Sequence, residues 1–116
     1  MSQRFGKEER LCSFNEINNL IKKGESFFTG SFRVVYLKNE GEGKDKILVS
    51  VPKRNFKRAV DRNLLKRRIR EAYRKNRPEQ SQHSGLLHIM FFYTRKDILN
   101  YESIEQQMVH ILHKLH

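Results

Sequence analysis

The chain of 116 residues has one cysteine, two prolines and no tryptophan. A single cysteine, Cys12, excludes an internal disulfide and most cysteine-based metal sites. It reads as a small, partly buried side chain near the start of a helix. No apolar run approaches the roughly 18 residues of a membrane span. The opening residues MSQRFGKEER are charged and lack an apolar stretch, so no secretory signal is expected. Acids are scarce too, with 13 Asp and Glu against 24 Lys and Arg and a formal charge of +11. Together these features fit a cytoplasmic protein with no membrane partner.

The positive charge is unevenly placed. Between Lys53 and Arg77 stand 12 Lys/Arg and only two acids, Asp61 and Glu71. The remaining residues are close to neutral. Charge concentrated on one element is what a protein presents to a polyanion. A pI near 10.1 points to nucleic acid first and to an anionic membrane surface second.

At this length the chain forms a single domain, 1–116, with its own core. Residues 1–12 read as a mobile lead. Ser13 followed by Glu16 is a capping-box spacing, and Phe14, Ile17, Leu20 and Ile21 follow at helical intervals. The pattern predicts a helix over 14–23, ended by Gly24 as a C′ residue. Residues 27–37 are aromatic and β-branched and read as one bent strand or two short ones, with Gly30 at the break. Phe32, Val34 and Tyr36 share one face of it; Arg33, Val35 and Leu37 share the other. A polar loop at 39–46 with two glycines predicts an antiparallel hairpin to a strand at 47–51, stopped by Pro52.

A basic helix is predicted from about Lys57 to Lys75, then a flexible loop PEQSQHSG, then a buried strand 86–93. A last helix over 101–115 carries Tyr101, Ile104, Met108, Ile111, Leu112 and Leu115 on one stripe, with Asn100 as N-cap. The order is α-β-β-(β)-α-β-α. This is an α+β domain with helices on a sheet of about four strands, and the basic helix connects two of those strands.

At about 100° per residue, Leu65, Ile69, Ala72 and Tyr73 occupy one arc of the basic helix and meet the sheet. Asn63, Lys66, Arg67, Arg70 and Arg74 fill the neighbouring arc, and Arg58 and Arg62 extend it toward the N-terminus. Arg58, Arg62, Lys66, Arg70 and Arg74 repeat every four residues. Like charges at that spacing destabilise an isolated helix by a few tenths of a kcal/mol per pair. A solvated charged face is the bland reading; phosphate binding is the sharper one, because the arginine fork suits phosphate oxygens.

The string RAVDRNLLKRRIREAYR resembles the signature helix of the bacterial ribonuclease P protein family. The motif positions are Arg62-Asn63, Lys66-Arg67 and Arg70, preceded by Ala59-Val60. Arg10-Leu11, the first helix ending at Gly24, Val51 and Lys53 before the basic helix, and the closing amphipathic helix follow in family order. The chain departs from the pattern at Leu64, where a second arginine is common, and at Ile17 and Ile21, where some members carry aromatics.

The resemblance implies a small basic cofactor of a large catalytic RNA that removes the 5′ leader of precursor tRNA. It implies a left-handed βαβ crossover through the signature helix. It also implies that the RNA subunit, with Mg²⁺ held mainly by that RNA, and not a side chain of this protein, performs the cleavage; no catalytic residue, protein-bound metal or obligate protein partner is expected. The residues that follow for RNA-subunit binding are Lys53, Arg58, Arg62, Asn63, Lys66, Arg67, Arg70 and Arg74. Those for the leader, in a cleft between the first helix and the sheet, are Ile17, Ile21, Arg33, Val35, Val51 and Lys53.

Two alternatives remain open from residues alone. One is a non-enzymatic RNA- or DNA-binding module. The other is a metal nuclease using His110, His113 and His116, spaced three apart, although that spacing also describes an exposed polar helix face. Phe27, Phe28, Phe32 and Tyr36 are either core or platforms for unpaired bases.

Overall fold

The computed structural model describes residues 11, 13–39, 45–77 and 86–115. The expected flexible loop, most of the polar hairpin loop, Cys12, His83 and His116 lie outside them, as does the expected mobile lead apart from Leu11. The elements run α1 (Phe14–Lys23), β1 (Glu25–Thr29), β2 (Phe32–Asn39), β3 (Lys46–Ser50), α2 (Ala59–Asn76), β4 (Leu86–Tyr93) and α3 (Tyr101–Leu115). This is the α+β arrangement expected, with a four-stranded mixed sheet.

Helix boundaries follow their capping chemistry. The Ser13 hydroxyl accepts the Glu16 amide at 3.4 Å, and Asn100 Oδ1 accepts the Ser103 amide at 2.9 Å. Gly24 ends α1 as expected, but for a different reason. Its φ is −71°, not left-handed. A Cβ there would collide with the carbonyl oxygens of Leu20 and Tyr36. The glycine is needed because α1 and β2 approach backbone to backbone. Gly30 does use a positive φ, 55°, in the turn that separates β1 from β2.

One topological expectation fails. β3 does not form a hairpin with β2. The strand order is β1-β2-β4-β3, with β4 antiparallel to β2 and parallel to β3. Because β4 separates them, the chain passes from β3 through α2 to the parallel neighbour β4, the crossover expected for the basic helix.

The sheet has an apolar surface on both faces. Helices α2 and α3 cover one, where Phe32, Val34, Ile47, Val49, Ile89, Phe91 and Tyr93 meet Leu65, Ile69, Tyr73, Ile104, Met108 and Ile111. Each of these is under about a tenth exposed, and fully burying one large apolar side chain contributes about 1.5–3 kcal/mol. On the opposite face α1 covers only part of the sheet, packing Leu20 with Leu11 and Val35. Leu11 is thus fixed, not part of a mobile lead: it is 2% exposed, and its amide donates to the Ile47 carbonyl at 2.9 Å.

Candidate nucleic-acid interface

The basic element begins in the turn after β3. Asn55 and Phe56 both donate their amides to the Pro52 carbonyl. Phe56 drops into the main core beside Tyr93, with ring centroids 5.9 Å apart. The turn therefore has a buried anchor, and Lys53, Arg54 and Lys57 are exposed around it.

Within α2 the arginines divide by task. Arg62, expected on the RNA, folds back: its Nη1 donates to the Phe56 carbonyl at 2.7 Å and to the Lys57 carbonyl at 3.1 Å. Arg68 Nη1 donates to the Leu99 carbonyl at 2.6 Å, tying α2 to the lead-in of α3. Asn76 bonds the Ala72 carbonyl and the Glu105 carboxylate, and the Lys75 ammonium lies 5.5 Å from the Tyr101 ring centre. Arg74 grips Glu71 through two bonds, at 2.9 and 2.7 Å. That pairing holds the Glu71 carboxyl below its usual range and raises the Arg74 guanidinium.

What remains is a cationic flank on the side of α2 away from α3. Lys53, Arg58, Asn63 and Arg67 are exposed, and Lys66 is half-buried. None of these five has a side-chain hydrogen bond or ion pair among the described residues. Arg70 is half-buried beside them. Arg58 is also the N-cap residue and supplies no side-chain acceptor to the helix. Ligand-free cations on a fixed helix can neutralise phosphates without first breaking an internal pair.

The second feature is the open part of the α1-side face. Ile17 packs half-buried against the cluster of Leu11, Leu20 and Val35, as Leu48 and Met90 do, and Ile21, one turn further along α1, is 58% exposed. Val35 lies beneath α1 and is 4% exposed. Arg33 is exposed on the uncovered part. Val51 does not belong to this cleft. It is buried in the main core, because strand alternation turns Val49 and Val51 toward α2. The four aromatics left undecided by sequence now separate. Phe32 is core; Phe27 and Tyr36 pack half-buried against the core, edge to face at 5.9 Å. Only Phe28 points out of the core, 70% exposed.

A polar cluster joins α1 to the sheet. Glu16 lies 3.6 Å from Lys46 Nζ and 3.7 Å from His88 Nε2. That nitrogen is buried and has no hydrogen-bond partner among the described residues. Burial pushes the His88 imidazole below its usual pKa, against a smaller upward pull from Glu16. His110 and His113 are exposed on α3. Among the described residues no three His, Cys, Asp or Glu side chains gather to hold a metal ion, and no helix is long and apolar enough to cross a membrane.

Fold and surface define a small α+β protein with a cationic helical flank and a half-open sheet. The family profile described as Ribonuclease P matches residues 5–116. The chain belongs to that family. It is 33% identical over 119 residues to the Ribonuclease P protein component of Petrotoga mobilis, covering 97% of this chain and 96% of that one. It is 47% identical over 73 residues to the namesake from Porphyromonas gingivalis, a match spanning about half of that protein, 53%. The solved RNase P protein of Staphylococcus aureus superposes with a TM-score of 0.74 at 25% identity, covering 94% of this chain and 96% of that one. That of Thermotoga maritima also gives 0.74, at 22% identity, over 93% and 98%, and shows the shared fold.

Proposed function

We propose that this protein is the protein subunit of ribonuclease P and acts by holding two RNAs at once. The cationic flank around Lys53, Arg58, Asn63, Lys66 and Arg67 binds the large catalytic RNA. The cleft between α1 and the sheet takes the single-stranded 5′ leader of precursor tRNA in the cytoplasm. Cleavage belongs to the catalytic RNA, with Mg²⁺ held mainly by that RNA. The protein's part is electrostatic and positional: it neutralises phosphates and reduces the Mg²⁺ needed for a productive complex.

The observation that carries this reading is the division of labour on α2. Arg62, Arg68, Arg74, Lys75 and Asn76 are committed to the fold, while Lys53, Arg58, Asn63, Lys66 and Arg67 have no side-chain hydrogen bond or ion pair among the described residues. The test is reconstitution of precursor-tRNA cleavage from protein and cognate RNA at limiting Mg²⁺. Protein alone should be inactive, and protein with RNA should far exceed RNA alone. Replacing Lys66 and Arg67 by alanine should abolish that gain at limiting Mg²⁺ and restore it partly at high Mg²⁺. A double variant that stimulates cleavage like the wild type would overturn the assignment.

A further inference from the structure

The two edges of the sheet are treated differently. At β3 the chain covers its own edge: the Leu11 amide donates to the Ile47 carbonyl at 2.9 Å. The other edge strand, β1, has β2 on one side and nothing on the other. The two-residue turn Gly30–Ser31 decides which of its backbone groups are used. A turn of that length closes with the Phe32 amide on the Thr29 carbonyl, and hydrogen-bonded pairs alternate from there. Thr29, Phe27 and Glu25 therefore turn their amides and carbonyls toward β2. Those of Ser26 and Phe28 point out of the edge and have no hydrogen-bond partner among the described residues. Exposed edges are commonly blunted by lysine, proline or a bulge. β1 has none of these: its sequence is ESFFT and its register with β2 is unbroken.

This edge is complementary to itself. Pair two copies of β1 antiparallel about a two-fold axis at Phe27, and Ser26 of each copy lies opposite Phe28 of the other. Each such pair exchanges both backbone bonds, so every outward amide and carbonyl of the two strands is satisfied. The side chains agree. Ser26 and Phe28 lie on the face away from α2 and α3, because Phe27 between them packs on the helix side. Phe28 is 70% exposed. Across the axis the two Phe28 rings stand diagonal to each other, within the reach of aromatic side chains, and cover one another. On the helix side Glu25 shares a face with Phe27. Glu25 is exposed and has no ion pair among the described residues. The Lys114 ammonium lies 4.5 Å from the Phe27 ring centre. Glu25 of one copy is diagonal to Phe27 of the other, and so meets the ammonium seated on that ring. The symmetry makes this ion pair twice.

We infer that β1 joins two copies of this protein into a symmetric dimer, merging their four-stranded sheets into one. The net charge of +11 on each chain does not prevent it. That charge is concentrated on α2, which connects β3 to β4 at the far side of the sheet. Across the dimer the two α2 helices stand about six strand spacings apart, roughly 30 Å. This is several times the Debye length of about 8 Å at physiological salt. The two cationic flanks lie at opposite ends of the dimer, and both stay open to RNA.

The test is sedimentation equilibrium of the full chain without RNA, over a concentration series. The wild type should show a reversible monomer–dimer equilibrium. Ser26→Pro should be monomeric and keep its circular dichroism, because the ring removes an outward N–H and none that bonds β2. Its affinity for RNA should match that of wild-type monomer. Glu25→Lys and Lys114→Glu should each weaken the dimer by roughly two- to thirtyfold, the range for two exposed ion pairs. The double exchange should restore it. If Ser26→Pro fails to fold, the charge exchange decides. A wild type that stays monomeric at millimolar concentration overturns the dimer. A dimer indifferent to Ser26→Pro and to both charge changes would place the contact on another surface and overturn it equally. Copies that meet only when RNA is added would be joined by the RNA, and the edge assignment would be wrong.

Discussion

Arg62 reaches back from the first turn of α2 to the Phe56 carbonyl, 2.7 Å away, and locks the turn that precedes its own helix. A signature arginine is thereby a structural fastener. Its guanidinium closes the turn from inside, which leaves Lys53, Arg54, Lys57 and Arg58 splayed outward. Hydrogen bonds from a charged group contribute about 1.5–3 kcal/mol when buried, less where solvent competes.

Arg62→Ala should therefore destabilise the free protein by about 1–2 kcal/mol, lower its melting temperature and weaken RNA binding. Arg67→Ala should weaken RNA binding with a stability change within about 0.5 kcal/mol. Urea denaturation of the two variants beside a filter-binding titration checks both. A stable Arg62→Ala protein would show that the bonds to Phe56 and Lys57 contribute nothing.

The cationic flank predicts a salt signature. Each phosphate neutralised adds about 0.7–0.9 to the slope of log affinity against log salt. The triple replacement of Lys53, Arg58 and Arg67 by alanine should reduce that slope by about two. The same change at Lys22, Lys23 and Lys38 should leave it almost unaltered. Equal losses from the two triples would mean that the basic charge acts as a diffuse cloud and not as a flank.

His88 predicts a pH effect on folding. Its folded-state pKa is lowered from the ordinary 6.5 by burial. Below 6.5 the unfolded chain binds a proton that the folded chain resists. Stability should fall as pH drops through 6.5 and level off below the folded pKa. Above 6.5 the imidazole is neutral in both states and contributes no slope. His88→Leu should remove this decline. Glu16→Gln should steepen it, since Glu16 pulls the imidazole pKa upward. Chemical denaturation between pH 5 and 8 reads the difference; parallel curves for wild type and His88→Leu would refute the assignment.

Gly24→Ala should unseat α1. The added methyl meets two backbone carbonyls, which cannot swing aside as a side chain could. Amides of α1 should exchange faster with solvent water, while those of β2 facing β4 should change little. Retained protection throughout α1 would mean that the α1–β2 contact can open without cost.

Helix limits and strand alternation could be read in the sequence because they are local. Ser13 and Asn100 announce their helices through spacing alone. The partner of β3 was not legible. Alternation over Ile47 to Val51 fits pairing with β2 or with β4 equally well, and the glycine-bearing loop between β2 and β3 mimics a hairpin signal. The bonds of Arg62 were hidden because a helical wheel shows its polar neighbours but not the carbonyls of a turn folded beneath it. The two faces of β4 do not separate in the run Leu86–Tyr93, because a strand buried on one face and part-covered on the other is apolar almost throughout. The site thus divides in the same way. Its cations lie on α2 and in the turn that leads into it, one continuous stretch of sequence, and could be enumerated there; the open sheet face is assembled across strands and becomes visible only with the register.

The central place of β4 also sets the order in which this protein can be made. β4 is the strand that hydrogen-bonds both β2 and β3, yet it is synthesised after α2. A nascent chain ending before Leu86 has a β1–β2 hairpin, a β3 with no neighbouring strand, and a helix crowded with like charges. None of these is stable alone in water. The basic helix thus emerges from the ribosome unsupported, with the sheet that will hold it still unmade. Any polyanion close by at that moment meets the cations before it meets the fold.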